Sequence, residues 1–235
     1  MQRPFVVCHM LVSLDGKIDG AYMDAPENEG PRAEYGRIRA FYDCQATLYG
    51  TTTMLGSYAD GHSPALPQQA EPSLEDFLAP HAGSNYIVSL DPKGTLQFAS
   101  PYIQKKGRAS AHVIEVLTQQ ASSAYRAYLR QMGISYLIAG SERVDCRRLL
   151  EKLRSAFGID RLMLAGGGYT NASFLQEDLI DELSLVIAPL ADGNTSSVSI
   201  FERADFFGQK PPVPFSLKEA TRVAGDGLWL RYGRK

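Results

Sequence analysis

The sequence predicts an α/β fold: a mostly parallel sheet with helices on both faces and an antiparallel hairpin at its C-terminal end. Three observations carry this. Short apolar runs alternate with helix-period segments from residue 5 to about 185, the pattern of parallel strands joined by crossover helices. Turns rich in glycine or threonine follow several of the runs. Two late apolar runs flank Asp226-Gly227, a strong hairpin signal.

The elements follow in order. Phe5–Val12 is a continuous apolar run, which predicts a strand buried on both faces. Pro31 can open a helix with Tyr35, Ile38, Phe41 and Tyr42 on one face. Residues 46–49 form a short strand. It feeds Gly50-Thr51-Thr52-Thr53, where a threonine can cap a helix carrying Met54, Leu55 and Tyr58. From residue 60 to 83 the pattern dissolves into a long loop, with one helical turn expected from Ser73-x-x-Asp76. Residues 86–90 and 111–117 are strands, and Asp91-Pro92-Lys93-Gly94 is turn chemistry.

The period then becomes clean. Ala121, Ala124, Tyr125, Tyr128, Leu129 and Met132 mark one helical face, stopped by Gly133. Residues 136–139 are a strand. Asp145 caps a helix bearing Cys146, Leu149, Leu150, Leu153 and Phe157, stopped by Gly158. Residues 161–165 are a strand, followed by Gly166-Gly167-Gly168 and a helix with Phe174 and Leu175. Residues 183–189 are a long apolar strand, and residues 216–223 and 228–232 are the hairpin. No linker separates two cores, so residues 1–235 are expected to be one domain, compatible with a prior of roughly 150 residues per domain.

Composition excludes several classes. Hydrophobic residues are 44% and charged residues 21%, which sets aside disorder and fibres. The 24 basic and 26 acidic residues leave a net charge of -2, with no electrostatic footprint for nucleic acid or an anionic membrane. Cys8, Cys44 and Cys146 stand far apart, which argues for free thiols in a reducing compartment. The apolar N-terminal stretch is too short and too polar for a signal peptide or spanning helix, so a cytoplasmic protein is expected. The four histidines form no zinc pattern, and no G-x-S-x-G elbow is present. Asp181-Glu182 opens a strand, where adjacent side chains face opposite ways; the pair reads as structural rather than as an acid/base dyad.

In an open α/β sheet, ligands bind beyond the carboxyl ends of strands. The most informative turn there is Gly166-Gly167-Gly168-Tyr169-Thr170-Asn171. Glycines permit close backbone approach, and the helix start offers unpaired N–H groups and a positive dipole end suited to a pyrophosphate. Asn171 stands where the third glycine of G-x-G-x-x-G would be, and a tight strand-to-helix turn accounts for the same residues. The Thr51, Thr52 and Thr53 hydroxyls suit either a helix cap or phosphate oxygens. Ser89 precedes the third such turn. Ser13-Leu14-Asp15-Gly16-Lys17 follows the first strand. Its carboxylate and ammonium suit either a solvated turn or a polar substrate.

Together these residues resemble one family. The opening Arg3-Pro4-Phe5 with Ser13-Leu14-Asp15-Gly16-Lys17-Ile18 is similar to the reductase domain of riboflavin biosynthesis. So is the later block Gly166-Gly167-Gly168, Ser173-Phe174-Leu175, Leu179-Ile180-Asp181-Glu182-Leu183 and Ala188-Pro189. That domain is the RibD C-terminal family, and the resemblance covers nearly the whole chain. It implies a dihydrofolate reductase-like three-layer fold, a homodimer and an NADPH-dependent oxidoreductase. The implied reaction is that of a 5-amino-6-(5-phosphoribosylamino)uracil reductase, which opens the sugar ring to ribitol by hydride transfer. The glycine turn would hold the cofactor pyrophosphate. Thr51, Thr52, Thr53 and Ser89 would hold the adenosine half and its 2′-phosphate. Ser13, Asp15 and Lys17 would lie beside nicotinamide and substrate, with Asp15 the candidate catalytic group.

The chain departs from the family twice. The bifunctional members carry a zinc deaminase domain ahead of this one, which these 235 residues lack. Ala165 stands where the pathway enzymes usually place a substrate-facing glutamate. A reductase of another small carbonyl or imine compound and a non-catalytic nucleotide-binding module are the alternatives. The cofactor carries hydride chemistry itself, so a missing catalytic triad does not favour the module.

Overall fold

The computed structural model describes residues 2–68 and 73–235. In chain order the elements are β1 (Phe5–Val12), α1 (Glu29–Tyr42), β2 (Ala46–Gly50), α2 (Thr51–Ser57), β3 (Gly61–His62), β4 (Tyr86–Leu90), β5 (Leu96–Gln97), β6 (Tyr102–Ile103), β7 (Ala111–Leu117), α3 (Ser123–Gln131), β8 (Ser135–Ile138), α4 (Cys146–Phe157), β9 (Arg161–Leu164), α5 (Gly168–Gln176), β10 (Glu182–Ile187), β11 (Phe215–Arg222) and β12 (Leu228–Arg234). They form two compact units. One comprises residues 5–44 and 161–235; the other is built on residues 45–160. Both are α/β, with parallel strands at the centre and antiparallel strands added to them.

In the first unit the strand order is β11-β12-β10-β1-β9. β1 runs parallel to both β10 and β9, with Val12 opposite Ile187 and Cys8 opposite Leu164. Only Phe5 of β1 is not buried, as expected for a strand covered on both faces. β12 pairs antiparallel with β10 and with β11. The carboxyl ends of β1, β9 and β10 therefore share one edge. α1 starts at Glu29, two residues before Pro31, because proline lacks only an N–H that has no partner in the first turn anyway. Its buried face is Pro31, Ile38 and Tyr42. Phe41 is exposed instead, with its ring edge-on to Trp229 at 5.4 Å.

Beneath α1 lies a buried polar chain. His9 Nε2 is 3.0 Å from the Tyr35 carbonyl, which can only accept, so Nε2 carries the proton. Nδ1 then accepts from Ser184 Oγ at 3.0 Å, and Ser184 Oγ accepts from Trp229 Nε1 at 2.9 Å. Burial lowers the His9 pKa to about 4 from 6.5. In the other unit, burial and the neighbouring His81 do the same to His112, also to about 4. The unfolded chain binds these protons near pH 6.5 and the folded chain does not. Stability from both groups is thus complete above pH 6.5 and is lost as the pH falls through about 4. Denaturation midpoints measured against pH should fall across that window. His9→Gln and His112→Gln should each flatten the fall.

In the second unit β2, β4 and β7 are parallel neighbours. One edge of β7 is shared: β6 pairs antiparallel with its first residues, and β8 runs parallel to Ile114–Leu117. α4 packs Cys146, Leu149, Leu150 and Leu153 inward. Asp145 caps it by accepting from Arg148 N at 2.8 Å, and Gly158 ends it at φ 65°. Cys8 and Cys146 are buried and Cys44 is half-buried, none of the three in a disulfide.

Three local expectations differ from the structure. Gly50, not a threonine, is the N-cap of α2. Ser73–Asp76 forms no helical turn. Asp76 instead accepts from Ile138 N at 2.8 Å and pairs with Lys152 Nζ at 2.6 Å, which outcompetes a local cap. The hairpin closes with Arg222 opposite Leu228 and Val223 N bonded to Gly227 O, so its loop is longer than a two-residue Asp-Gly turn. No helix among the described residues is long and apolar enough to cross a membrane.

Candidate cofactor and substrate site

The carboxyl edge of β1, β9 and β10 gathers the first unit's candidate residues. After Val12 the chain turns tightly, with Ser13 N bonded to Lys17 O at 2.9 Å and Gly16 at φ 77°. The buried Ser13 hydroxyl donates to Asp15 Oδ1 at 2.6 Å and accepts from Lys17 N at 2.9 Å. Asp15 also accepts from Asp192 N at 2.9 Å and Gly193 N at 3.0 Å. The Ser13 hydroxyl first, then these two amides, hold its carboxyl well below the usual range. Asp15 is therefore a permanent carboxylate that organises two loops. Lys17 Nζ donates to Ser197 O at 2.9 Å.

β9 ends at Leu164, Ala165 is buried, and Gly167 is the N-cap of α5. The three glycines differ in what a side chain would meet. At Gly166 a Cβ would lie 2.6 Å from Thr170 Cγ2, and at Gly168 it would lie 2.5 Å from the Ser199 carbonyl oxygen. At Gly167 it would meet nothing within 4 Å, and φ there is −66°, which any residue adopts. Neither packing nor backbone strain explains Gly167. The space beside it is open. Asn171 is buried; its Nδ2 donates to Ile200 O at 3.0 Å, while Oδ1 has no partner. Tyr169 is exposed beside this turn, and Thr170 is half-buried.

Segment 197–202 ties the two loops together, and sequence reasoning missed it. Lys17 bridges to Ser199, and Glu202 N donates to Gly168 O at 3.1 Å. Glu202 Oε1 accepts from Ser199 N at 2.6 Å. That bond and the Ser199 hydroxyl lower its pKa. Ser13, Asp15 and Lys17 thus connect to Gly166–Gly168 through one bonded strap. No local motif marks residues 197–202, more than 25 residues beyond the glycine turn.

In the second unit, the carboxyl edge is formed by β2, β4, β7 and β8. Thr51 Oγ1 donates to Leu90 O at 2.6 Å. Thr52 is exposed and Thr53 half-buried. Ser89 is fully buried on β4, in register with Glu115 of β7. Burial, with Asp91 nearby, pushes the Glu115 carboxyl well above the usual range.

The donor set at the α5 start suits an anionic ligand rather than covalent catalysis, and an α/β fold with such a turn is the architecture of nucleotide-using enzymes. The chain belongs to the RibD C-terminal domain family, which matches residues 4–227. A protein of Methanothermobacter thermautotrophicus named 2,5-diamino-6-ribosylamino-4(3H)-pyrimidinone 5′-phosphate reductase is 28% identical over 98% of both chains. One of the same name from Archaeoglobus fulgidus is 33% identical over 87% of this chain and 89% of its own. Among solved structures, a pyrimidine reductase-like protein from Corynebacterium diphtheriae superposes with a TM-score of 0.69 at 16% identity, covering 99% of this chain and 92% of that one. Acinetobacter baumannii RibD gives 0.64 at 21% identity. The match covers 99% of this chain but only 58% of that one.

Proposed function

We propose that the chain is an NADPH-dependent reductase of a ribosylamino-pyrimidine 5′-phosphate. The observation that carries this is Gly167, whose missing side chain leaves open space before the α5 amides. The buried, unpartnered Asn171 Oδ1 beside it is an acceptor with nothing in the chain to bind, and a ribose hydroxyl would satisfy it. The names of these two relatives favour the diamino-pyrimidinone over the uracil form of the substrate.

When bound, the reduced nicotinamide supplies a hydride to an electrophilic carbon. The chain's own residues bind and orient. The α5 start holds the pyrophosphate through its unpaired N–H groups. Asp15 fixes loops 13–17 and 190–193 rather than relaying a proton. Lys17 supplies a charge for the substrate phosphate. Lys17→Ala should raise KM for the phosphorylated substrate about tenfold while leaving NADPH affinity nearly unchanged; steady-state kinetics and cofactor titration check it. Ala165 cannot accept from pyrimidine N–H groups; Glu202, whose backbone N donates to Gly168 O and whose carboxylate accepts from Ser199 N, is the one acidic residue of the strap. The homodimer reading rests on the resemblance and on Leu217 and Leu228, exposed on the outer hairpin.

Complementation tests the assignment. A strain lacking the riboflavin-pathway reductase should grow without riboflavin when it expresses this chain. Failure by a folded, NADPH-binding protein would transfer the reading to another small carbonyl or imine substrate.

A further inference from the structure

Arg126 lies on the fourth residue of α3, and its long side chain runs back toward the helix N-terminus, as helical geometry directs. Its Nη1 donates to the carbonyl of Ala121, the residue before the Ser122 N-cap. The residue is 95% buried, being 5% exposed. Its Nε has no hydrogen-bond partner, and no carboxylate of the described residues pairs with it.

This arrangement is electrostatically incomplete. A buried guanidinium without a counter-charge is costly. Placing it at the positive end of a helix adds repulsion, because cations are favoured at the opposite end. The first amides of α3 also lack acceptors, apart from Tyr125 N, which the Ser122 hydroxyl satisfies at 3.1 Å. The neighbouring groups supply no negative charge. Thr118 Oγ1 donates to Pro92 O at 2.7 Å and accepts from Gln120 N at 3.3 Å. Gln119 and Gln120 are neutral and exposed. Glu115 is too buried to stay ionised readily. The unmet features of Arg126 and the α3 start are donors and a positive charge.

We infer that Arg126 and the N-terminus of α3 form a binding site for a phosphate monoester. The orphaned Nε–H and the guanidinium N–H groups beside it are donors of the kind that pair with phosphate oxygens. The helix start supplies further N–H groups and the dipole. The start of α3 follows the carboxyl end of β7, whose neighbour β4 leads into the Asp91 turn. Two sources present this chemistry: free phosphate, or a phosphate monoester carried on a nucleotide. The assignment does not depend on the reductase reading.

Thermal unfolding of the whole chain, with inorganic phosphate, NADPH or NADH as probes, tests this. Phosphate should raise the Tm of the wild type. Arg126→Met, which keeps the volume and removes the charge, should need at least about tenfold more phosphate for the same rise. Without ligand, the Arg126→Met protein should be as stable as the wild type or more so, since an unpaired buried charge has gone; a merely structural arginine would give the opposite. If NADPH but neither phosphate nor NADH gives the Arg126-dependent rise, the site takes a nucleotide's phosphate, and the inference stands with that source. The wild type alone supplies a second readout: the Arg126 Nε–H nitrogen resonance should shift with the effective probe. The inference is overturned if no probe moves that resonance, or if Arg126→Met responds to phosphate and NADPH as the wild type does.

Discussion

Glu182→Ala should destabilise the protein by about 3 kcal/mol, at the lower end of the range for breaking a buried ion pair. The carboxylate is buried at the start of β10. It accepts from Tyr42 Oη at 2.6 Å, Lys218 Nζ at 2.8 Å and Arg231 Nε at 2.9 Å. Removing it strands the Tyr42 hydroxyl and uncovers one side of Arg231, whose guanidinium lies 4.9 Å from the Phe41 ring centroid. Glu219, 2.9 Å from Arg231 Nη1, keeps part of the pairing, which is why the lower end is expected. Burial alone would raise the Glu182 pKa. The bonds from Arg231, Lys218 and Tyr42 outweigh it and hold the group at about 2, below the ordinary 4.5. This contribution is complete above pH 4.5 and is lost as the pH falls through about 2, below the histidine window. Urea denaturation measures both effects. A loss under about 1 kcal/mol at neutral pH would mean that the carboxylate is not the centre of this network.

Gly167→Val and Gly168→Val should fail in different ways. At Gly168 a side chain runs into the Ser199 backbone oxygen, so one loop or the other must move. Loss of fold stability by about 1–3 kcal/mol is expected, as for overpacking. At Gly167 the space is open, so stability should hold within about 0.5 kcal/mol. There valine occupies the approach to the α5 amides, and NADPH should bind at least tenfold more weakly, about 1.4 kcal/mol. Chemical denaturation and fluorescence titration separate the two outcomes. Equal cofactor affinity in Gly167→Val and the parent would remove the main support for the cofactor site.

These contrasts show what the sequence makes legible. β1, α4 and its caps follow from local rules, because an unbroken apolar run and a clean helical period with Asp145 and Gly158 at its ends leave few alternatives. Asp181-Glu182 reads correctly as structural: Asp181 accepts from Val6 N at 2.8 Å while Glu182 faces its own network. The two-residue strands β3, β5 and β6 are too short to show a period. Asp76 looks like part of a local cap, but its partners lie 62 and 76 residues away. The Ser13, Asp15 and Lys17 turn and the glycine turn are visible as motifs. The strap that joins them is not, because Ser199 and Glu202 are chosen by tertiary contact with Gly168 and Lys17. Arg126 likewise reads as an ordinary helix-surface charge until its burial is seen.

The most direct measurement is NADPH oxidation by the purified chain mixed with 2,5-diamino-6-ribosylamino-4(3H)-pyrimidinone 5′-phosphate, followed by loss of NADPH absorbance, with the product identified by mass spectrometry. The account predicts stoichiometric NADPH consumption and a ribitylamino product two hydrogens heavier than the substrate. Gly167→Val should be slowed at subsaturating NADPH. Binding of NADPH with no oxidation by either this pyrimidinone or its uracil counterpart would contradict the pyrimidine reductase assignment.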